Sequence, residues 1–227
     1  MTLIRTASYR GLAAAFLLFF VAAPASALII DTFDEAASAT ANSGAPSDST
    51  TTAAGSFLGT NRVLSSNWIS GGNDVDGDID LAGNSLLIVS LPPDTLGTVA
   101  VLWQNIGGAD LTEGSTLNAI GIEVAFDDLP ADIILSVTDG SSNTGQSSMT
   151  TTGAIFSPQD VAITFASFSG SVDFTDIESI ALVMSPLFPA TDVQLGFIES
   201  ILTPEPSTGW LLGFGLTALA ARRRKLG

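Results

Sequence analysis

Apolar residues fall along this chain in two different ways. Each end carries a continuous apolar block, Gly11–Ala23 and Gly209–Ala221, while the stretch between shows only short alternating or β-branched runs. The clearest runs are Leu28–Phe33, Arg62–Ile69, Ser85–Leu91, Thr98–Asn105, Ala119–Phe126 and Asp132–Thr138. Ser147–Thr152, Asp160–Ala166, Glu178–Ser185 and Val193–Leu202 follow, with turn-forming breaks such as Gly71-Gly72, Pro92-Pro93, Asp139-Gly140 and Pro186 between runs. About ten strands at this spacing, with no long amphipathic helix, predict an all-β fold over residues 28–203. The expected architecture is an antiparallel β-sandwich of the jelly-roll kind. Phe174–Ser179 reads as the one helical turn, with Thr175 as its cap. Ala36–Ala54, rich in Ser, Thr and Ala, reads as a long surface loop.

The terminal blocks read as sorting segments outside that domain. Residues 1–27 have the layout of a secretory signal peptide: Arg5 and Arg10, the apolar core, then Pro24 and the small-x-small site Ala25-Ser26-Ala27. Signal peptidase would cut there and leave Leu28 as the first residue. At the other end, Pro204-Glu205-Pro206 precedes the apolar block, and Arg222-Arg223-Arg224-Lys225 follows it. A helix over 209–221 spans about 20 Å, less than the roughly 30 Å of a hydrocarbon core. Trp210 at one interface and snorkelling arginines at the other extend its reach, and the basic tail stays cytoplasmic.

Proline pair, short transmembrane helix and basic tail together resemble the PEP-CTERM sorting signal of Gram-negative bacteria. The resemblance covers residues 204–227. It implies recognition by exosortase, a membrane-embedded transpeptidase-like enzyme, and removal of the helix and tail. It also implies passage through the inner membrane to the cell surface or an exopolysaccharide matrix. Within the domain, Ile29-Ile30-Asp31-Thr32-Phe33, Phe174–Ile180 and Asp192–Ile198 look similar to jelly-roll carbohydrate-binding domains, whose first and last strands lie side by side. Asn61-Arg62-Val63-Leu64 matches an element shared with many PEP-CTERM proteins.

Charge sharpens the picture. Of 7 cations, only Arg62 lies between the terminal clusters, against 23 carboxylates from Asp31 to Glu205, a net −22. Such a polyanion is repelled by nucleic acid. The chain has no His and no Cys, which removes Cys/His zinc sites, thiol nucleophiles and a Ser-His-Asp triad. Any remaining chemistry falls to carboxylates, hydroxyls, amides, one Arg or a bound cation, and the domain is expected not to be an enzyme.

Three groups of residues are candidate sites. Asp74, Asp76, Asp78 and Asp80 are dense enough to suit Ca²⁺, although their spacing departs from an EF-hand loop. The same alternation also describes a strand with one solvated acidic face and Val75, Ile79 and Leu81 facing the core. Asp31, Asp34 or Glu35 with Asp192 or Glu199 form a second possible cation junction. Arg62 reads as a bidentate ion pair or as a contact for an acidic sugar. Trp68 and Trp103 read as core packing or as sugar platforms. The expected function is that of a secreted acidic surface or matrix protein with a structural or adhesive role. A carbohydrate-binding module recognising an extracellular glycan, with exopolysaccharide as partner, is the alternative.

Overall fold

The computed structural model describes residues 27–80 and 85–203. Ala25, Pro204, Glu205, Pro206, Trp210, Arg222, Arg223, Arg224 and Lys225 lie outside the described residues. Among those described, no helix is long and apolar enough to cross a membrane.

Among the described residues thirteen strands form in chain order. They are β1 (Leu28–Asp31), β2 (Ala37–Ala41), β3 (Ser47–Ala53), β4 (Asn61–Ser70), β5 (Val75–Asp80), β6 (Leu86–Ser90) and β7 (Leu96–Gln104). Then come β8 (Ala119–Asp127), β9 (Ala131–Asp139), β10 (Thr144–Thr150), β11 (Gln159–Thr164), β12 (Ile177–Pro186) and β13 (Asp192–Ile201). They make two sheets. One has the order β11-β8-β13-β6-β5-β2, with β1 added against β13, and the other runs β10-β9-β12-β7-β4-β3. Every strand pairing is antiparallel, and β7-β8-β9 and β11-β12-β13 cross from sheet to sheet at each connection. The fold is thus an all-β two-sheet sandwich with jelly-roll-like alternation.

All ten expected runs are strands; in most of them large inward residues alternate with smaller outward ones, while β10 turns Gly145 and Ser147 inward. In β7, Val99, Val101 and Trp103 are buried; in β9, Ile133, Leu135 and Val137 are. Together with Leu64, Ile120, Ile122, Leu182 and Ile198 they fill one core between the sheets. As the sequence similarity implies, the first and last strands meet: Leu28 pairs with Ser200 and Ile29 with Glu199.

Two strands, β2 and β3, depart from the sequence reading, and the acidic strand differs only in what lies beside it. Ala36–Ala54 is not a loop but contains β2 and β3, which join opposite sheets at their shared edge by pairing β5 and β4. Asn42 holds the turn between them, its Oδ1 accepting the Gly44 and Ala45 N–H groups at 2.9 and 3.0 Å. The acidic segment forms β5, with Val75, Gly77 and Ile79 inward. Gly77 takes the middle core position because a Cβ there would lie 2.7 Å from Val99 Cγ1. β5 is also not an edge, since β2 covers it. Phe174–Ser179 is a turn running into β12, and among the described residues the one helical turn lies instead at Phe165–Ser167. In the turn at Phe174, Asp173 and not Thr175 supplies the capping oxygen: its Oδ1 accepts the Thr175 N–H at 2.9 Å and the hydroxyl at 2.6 Å.

Candidate functional site

Strand parity sends the domain's lone cation inward. Arg62 shares a face of β4 with Leu64, and its partner across β7 is Trp103; both Arg62 and Trp103 are fully buried. Asp31, at the end of β1 in the other sheet, meets both. Arg62 Nη1 donates to Asp31 Oδ1 and Oδ2 at 3.0 Å each, and Trp103 Nε1 donates to Oδ2 at 2.7 Å. The Phe33 N–H adds a contact to Oδ1 at 2.7 Å. Phe33 adopts φ 55°, a strained conformation for a bulky residue, which lets the chain turn back onto that carboxylate. Arg62 Nη2 donates to the Glu35 carbonyl, and the guanidinium lies 5.0 Å from the centre of the Phe57 ring. Glu35 Oε2 approaches Nη1 at 3.8 Å, while Oε1 accepts the Ser56 N–H at 2.6 Å. Burial raises the Asp31 carboxyl above its ordinary pKa, opposed first by the Arg62 charge and then by its hydrogen bonds.

This cluster corrects two expectations. The ion pair exists, but one guanidinium nitrogen serves both oxygens, so the contact is not a two-nitrogen fork. Neither Arg62 nor Trp103 reaches the surface, so neither touches a glycan; the pair locks the two sheets together instead. Asp31 is likewise occupied by internal donors rather than turned toward a surface cation. Trp68 is half-buried at the other end of β4 and packs against the core.

The acidic residues separate rather than converge. Asp74 is exposed in the loop before β5, and Asp76 and Asp78 point outward from it. Across the sheet Asp76 pairs with Ser90 and Thr40, and Asp78 with Ile88 and Ser38. The Asp80 side chain lies outside the described residues. Among the described residues no three acidic side chains are grouped to hold a metal ion. Beside Asp78 a shallow groove of about 440 Å³ is lined by Ala36, Ser38, Ile79 and Ile88. A second of about 240 Å³ lies between Ile29, Thr32, Phe197 and Glu199. The Glu199 carboxyl is raised, first by burial and then by Asp160.

The two ends of the sandwich differ. At one end the termini leave together: β1 begins beside the end of β13, and Asn118 clamps Thr203. Thr203 N–H and Oγ1 donate to Asn118 Oδ1 at 2.7 and 2.9 Å, and Asn118 Nδ2 donates to the Thr203 carbonyl at 3.1 Å. Pro204 follows directly in the sequence. At the opposite end, about 27 Å away along the nine-residue β8, the loops after β10 and β12 expose large apolar side chains. Phe156 is 73% exposed and packs edge-to-face on Phe126 at 5.8 Å, and Phe188 and Leu187 are exposed nearby in sequence to Pro186. Beneath them Asp127 is fully buried; Oδ2 accepts the Gly153 N–H at 3.2 Å, and Oδ1 makes no hydrogen bond to protein. Burial raises the Asp127 carboxyl. The sequence reading missed this rim, because a Phe in a β protein reads first as core. Its only signal was the Pro-rich Pro186–Pro189 segment, where strand alternation stops.

Residues 202–225 match the PEP-CTERM protein-sorting motif. No curated protein sequence matches the chain. Among solved structures, the family 11 carbohydrate-binding module from Clostridium thermocellum, in complex with a mixed-linked β-1,3-1,4 tetrasaccharide, is similar at 14% identity. That similarity covers 79% of this chain and 97% of the module, with a TM-score of 0.41. An agarase is similar at 9% identity over 61% of this chain and 22% of its own, with a TM-score of 0.44. A carbohydrate-binding module in complex with β-1,4-galactotriose is similar at 10% identity over 75% of this chain and 90% of its own, with a TM-score of 0.31.

Proposed function

We propose that this chain is an exported, non-enzymatic surface or matrix protein with a structural or adhesive role. The sorting motif at residues 202–225 carries the reading: it marks a chain for export, cell-surface sorting and processing by exosortase. The fold agrees with it, because Asn118 holds Thr203 against the sandwich one residue before Pro204 in the sequence. A domain carrying 22 carboxylates and one buried cation between residues 28 and 203 also suits a hydrated extracellular matrix, where its charge keeps it soluble. Any calcium binding would belong to the outward face of β5 and would be weak, since two strand carboxylates supply few of the six to eight oxygens that Ca²⁺ takes. Intact mass of protein recovered from the cell surface tests the reading. A product lacking everything after about Thr208 is expected from removal of the helix and tail, and a species still ending in Arg-Arg-Arg-Lys-Leu-Gly would overturn it.

The rim at the far end favours a second reading, glycan recognition. Phe156 offers an exposed ring against which a sugar face could pack, with Asp127 and Asp128 below it. Saturable retention on a glycan array, lost in Phe156→Ala, would establish this module role. Retention unaffected by that change, or absent, would leave the matrix role alone.

A further inference from the structure

The outer faces of the two sheets differ sharply in charge. On the seven-stranded sheet Asp76, Asp78, Glu123, Asp160, Asp192 and Glu199 all point outward. On the six-stranded sheet the register sets Ile134, Val183 and Ala100 in one row and Ala181, Leu102 and Val63 in the next. These six half-buried side chains adjoin at the centre of the face. Ser148, Ser65 and Ser49 complete the first row; Gln146, Ser136 and Thr51 complete the second. Neither row contains a charge, and the nearest outward carboxylate is Asp132 in the flanking row.

We propose that two copies of this chain pack face to face through the six-stranded sheet, in a two-fold contact. A strongly anionic domain repels its own copy at most approaches, and this face is where two copies meet without opposing carboxylates. Its apolar centre and hydroxyl rim have the layout of a protein interface. Six strands at about 4.8 Å, each about 30 Å long, give roughly 850 Å² per copy, close to the roughly 800 Å² per partner of a standard stable interface. No aromatic ring occupies an outward position in either row, so the face lacks the stacking platform that a sugar would use. Two flat sheets instead pack about 10 Å apart, with small side chains interdigitating. The sorting reading is independent of this contact.

The chain has no cysteine, so one introduced thiol reports contacts cleanly. In the full-length chain in detergent solution, Ala100→Cys should form a disulfide-linked dimer under mild oxidation, whereas Ile88→Cys on the acidic sheet should not. By sedimentation equilibrium, Leu102→Asp should weaken the dimer at least tenfold, and Ile88→Asp should leave it unchanged. Leu102→Ser, milder and checked by circular dichroism, should weaken it in the same direction. A monomeric wild-type chain, equal cross-linking at both positions, or a dimer indifferent to Leu102 would overturn the proposal. Loss of the dimer on adding a neutral β-glucan would overturn it too, by identifying a glycan as the occupant.

Discussion

Arg62 Nη1 lies 3.0 Å from both carboxylate oxygens of Asp31, at a point in the sandwich where neither side chain is exposed. Breaking a buried pair of this kind leaves one charge without a partner in a low-dielectric interior, which costs about 3–5 kcal/mol. Arg62→Met should therefore lower the urea midpoint substantially, and Asp31→Asn should do the same by stranding the guanidinium. Arg62→Lys should rescue little, because an ammonium cannot reach Asp31 and the Glu35 carbonyl together while stacking on Phe57. A loss below about 1 kcal/mol in Arg62→Met would mean that the pair contributes no more than a surface contact.

What the sequence made legible follows from side-chain size. Strands such as β7 and β9 show because Val, Ile, Leu and Trp stand against small outward residues. β2 was obscured because Ala39 and Ala41 fill its inward positions, whereas β5 showed through its alternating Asp residues even though Gly77 holds an inward position that must stay small. β3 was obscured because Ser and Thr occupy both of its faces. Arg62 could be flagged as unusual, being the domain's only cation, and an ion pair was within reach. Its partner was not, since Asp31 lies 31 residues away and is brought to it only by the two sheets closing. The exposed Phe156 and Phe188 stayed hidden for the opposite reason: apolar residues on loops leave no periodic trace.

The carboxylates set a stability profile with two limbs. Asp139 is held below its ordinary pKa by Asn143 and by the Asp173 N–H; Thr175 lowers Asp173, and Thr112 and the Gly114 N–H lower Asp110. Lowered groups stabilise the fold above their unfolded values, near pH 4, and that contribution is lost as pH falls through the folded values. Asp31, Asp127 and Glu199 are raised, chiefly by burial, so their contribution is full below the unfolded value and is lost as pH rises through the folded one. Protonation also relieves self-repulsion. The melting temperature should thus peak between about pH 4 and 6, declining on both sides. A monotonic rise from pH 4 to 8 would contradict the raised assignments.

Calcium should act on this domain mainly as a salt. Asp76 and Asp78 stand on one solvated face of β5, cross-paired with Ser90 and Ile88 rather than with further carboxylates. Adding millimolar CaCl₂ should raise the melting temperature only as far as NaCl of matched ionic strength does, with some excess from divalent screening. A much larger shift, abolished by Asp78→Asn, would instead identify a site on β5.

Asn118 connects the fold to export. Its amide makes three hydrogen bonds to Thr203, one residue before the Pro-Glu-Pro motif, and the Phe165 N–H holds the Asn118 carbonyl at 2.9 Å. The clamp therefore holds Thr203 against the sandwich. Because Leu28 pairs with Ser200, the first strand begins at the same end of the sandwich at which the last strand finishes. Asn118→Ala removes contacts worth about 0.5–1.5 kcal/mol each, but only for a terminal residue, so unfolding midpoints should change little. Processing should change more. With Thr203 released, the motif gains slack relative to the sandwich, and the ratio of processed to unprocessed chain at the cell surface should shift without loss of total protein. Asn118→Asp keeps the acceptor for the Thr203 N–H while losing the donor, and should give an intermediate ratio. If both variants process as the wild type does while remaining folded, the clamp is only the last stitch of the sandwich and has no part in presenting the sorting motif.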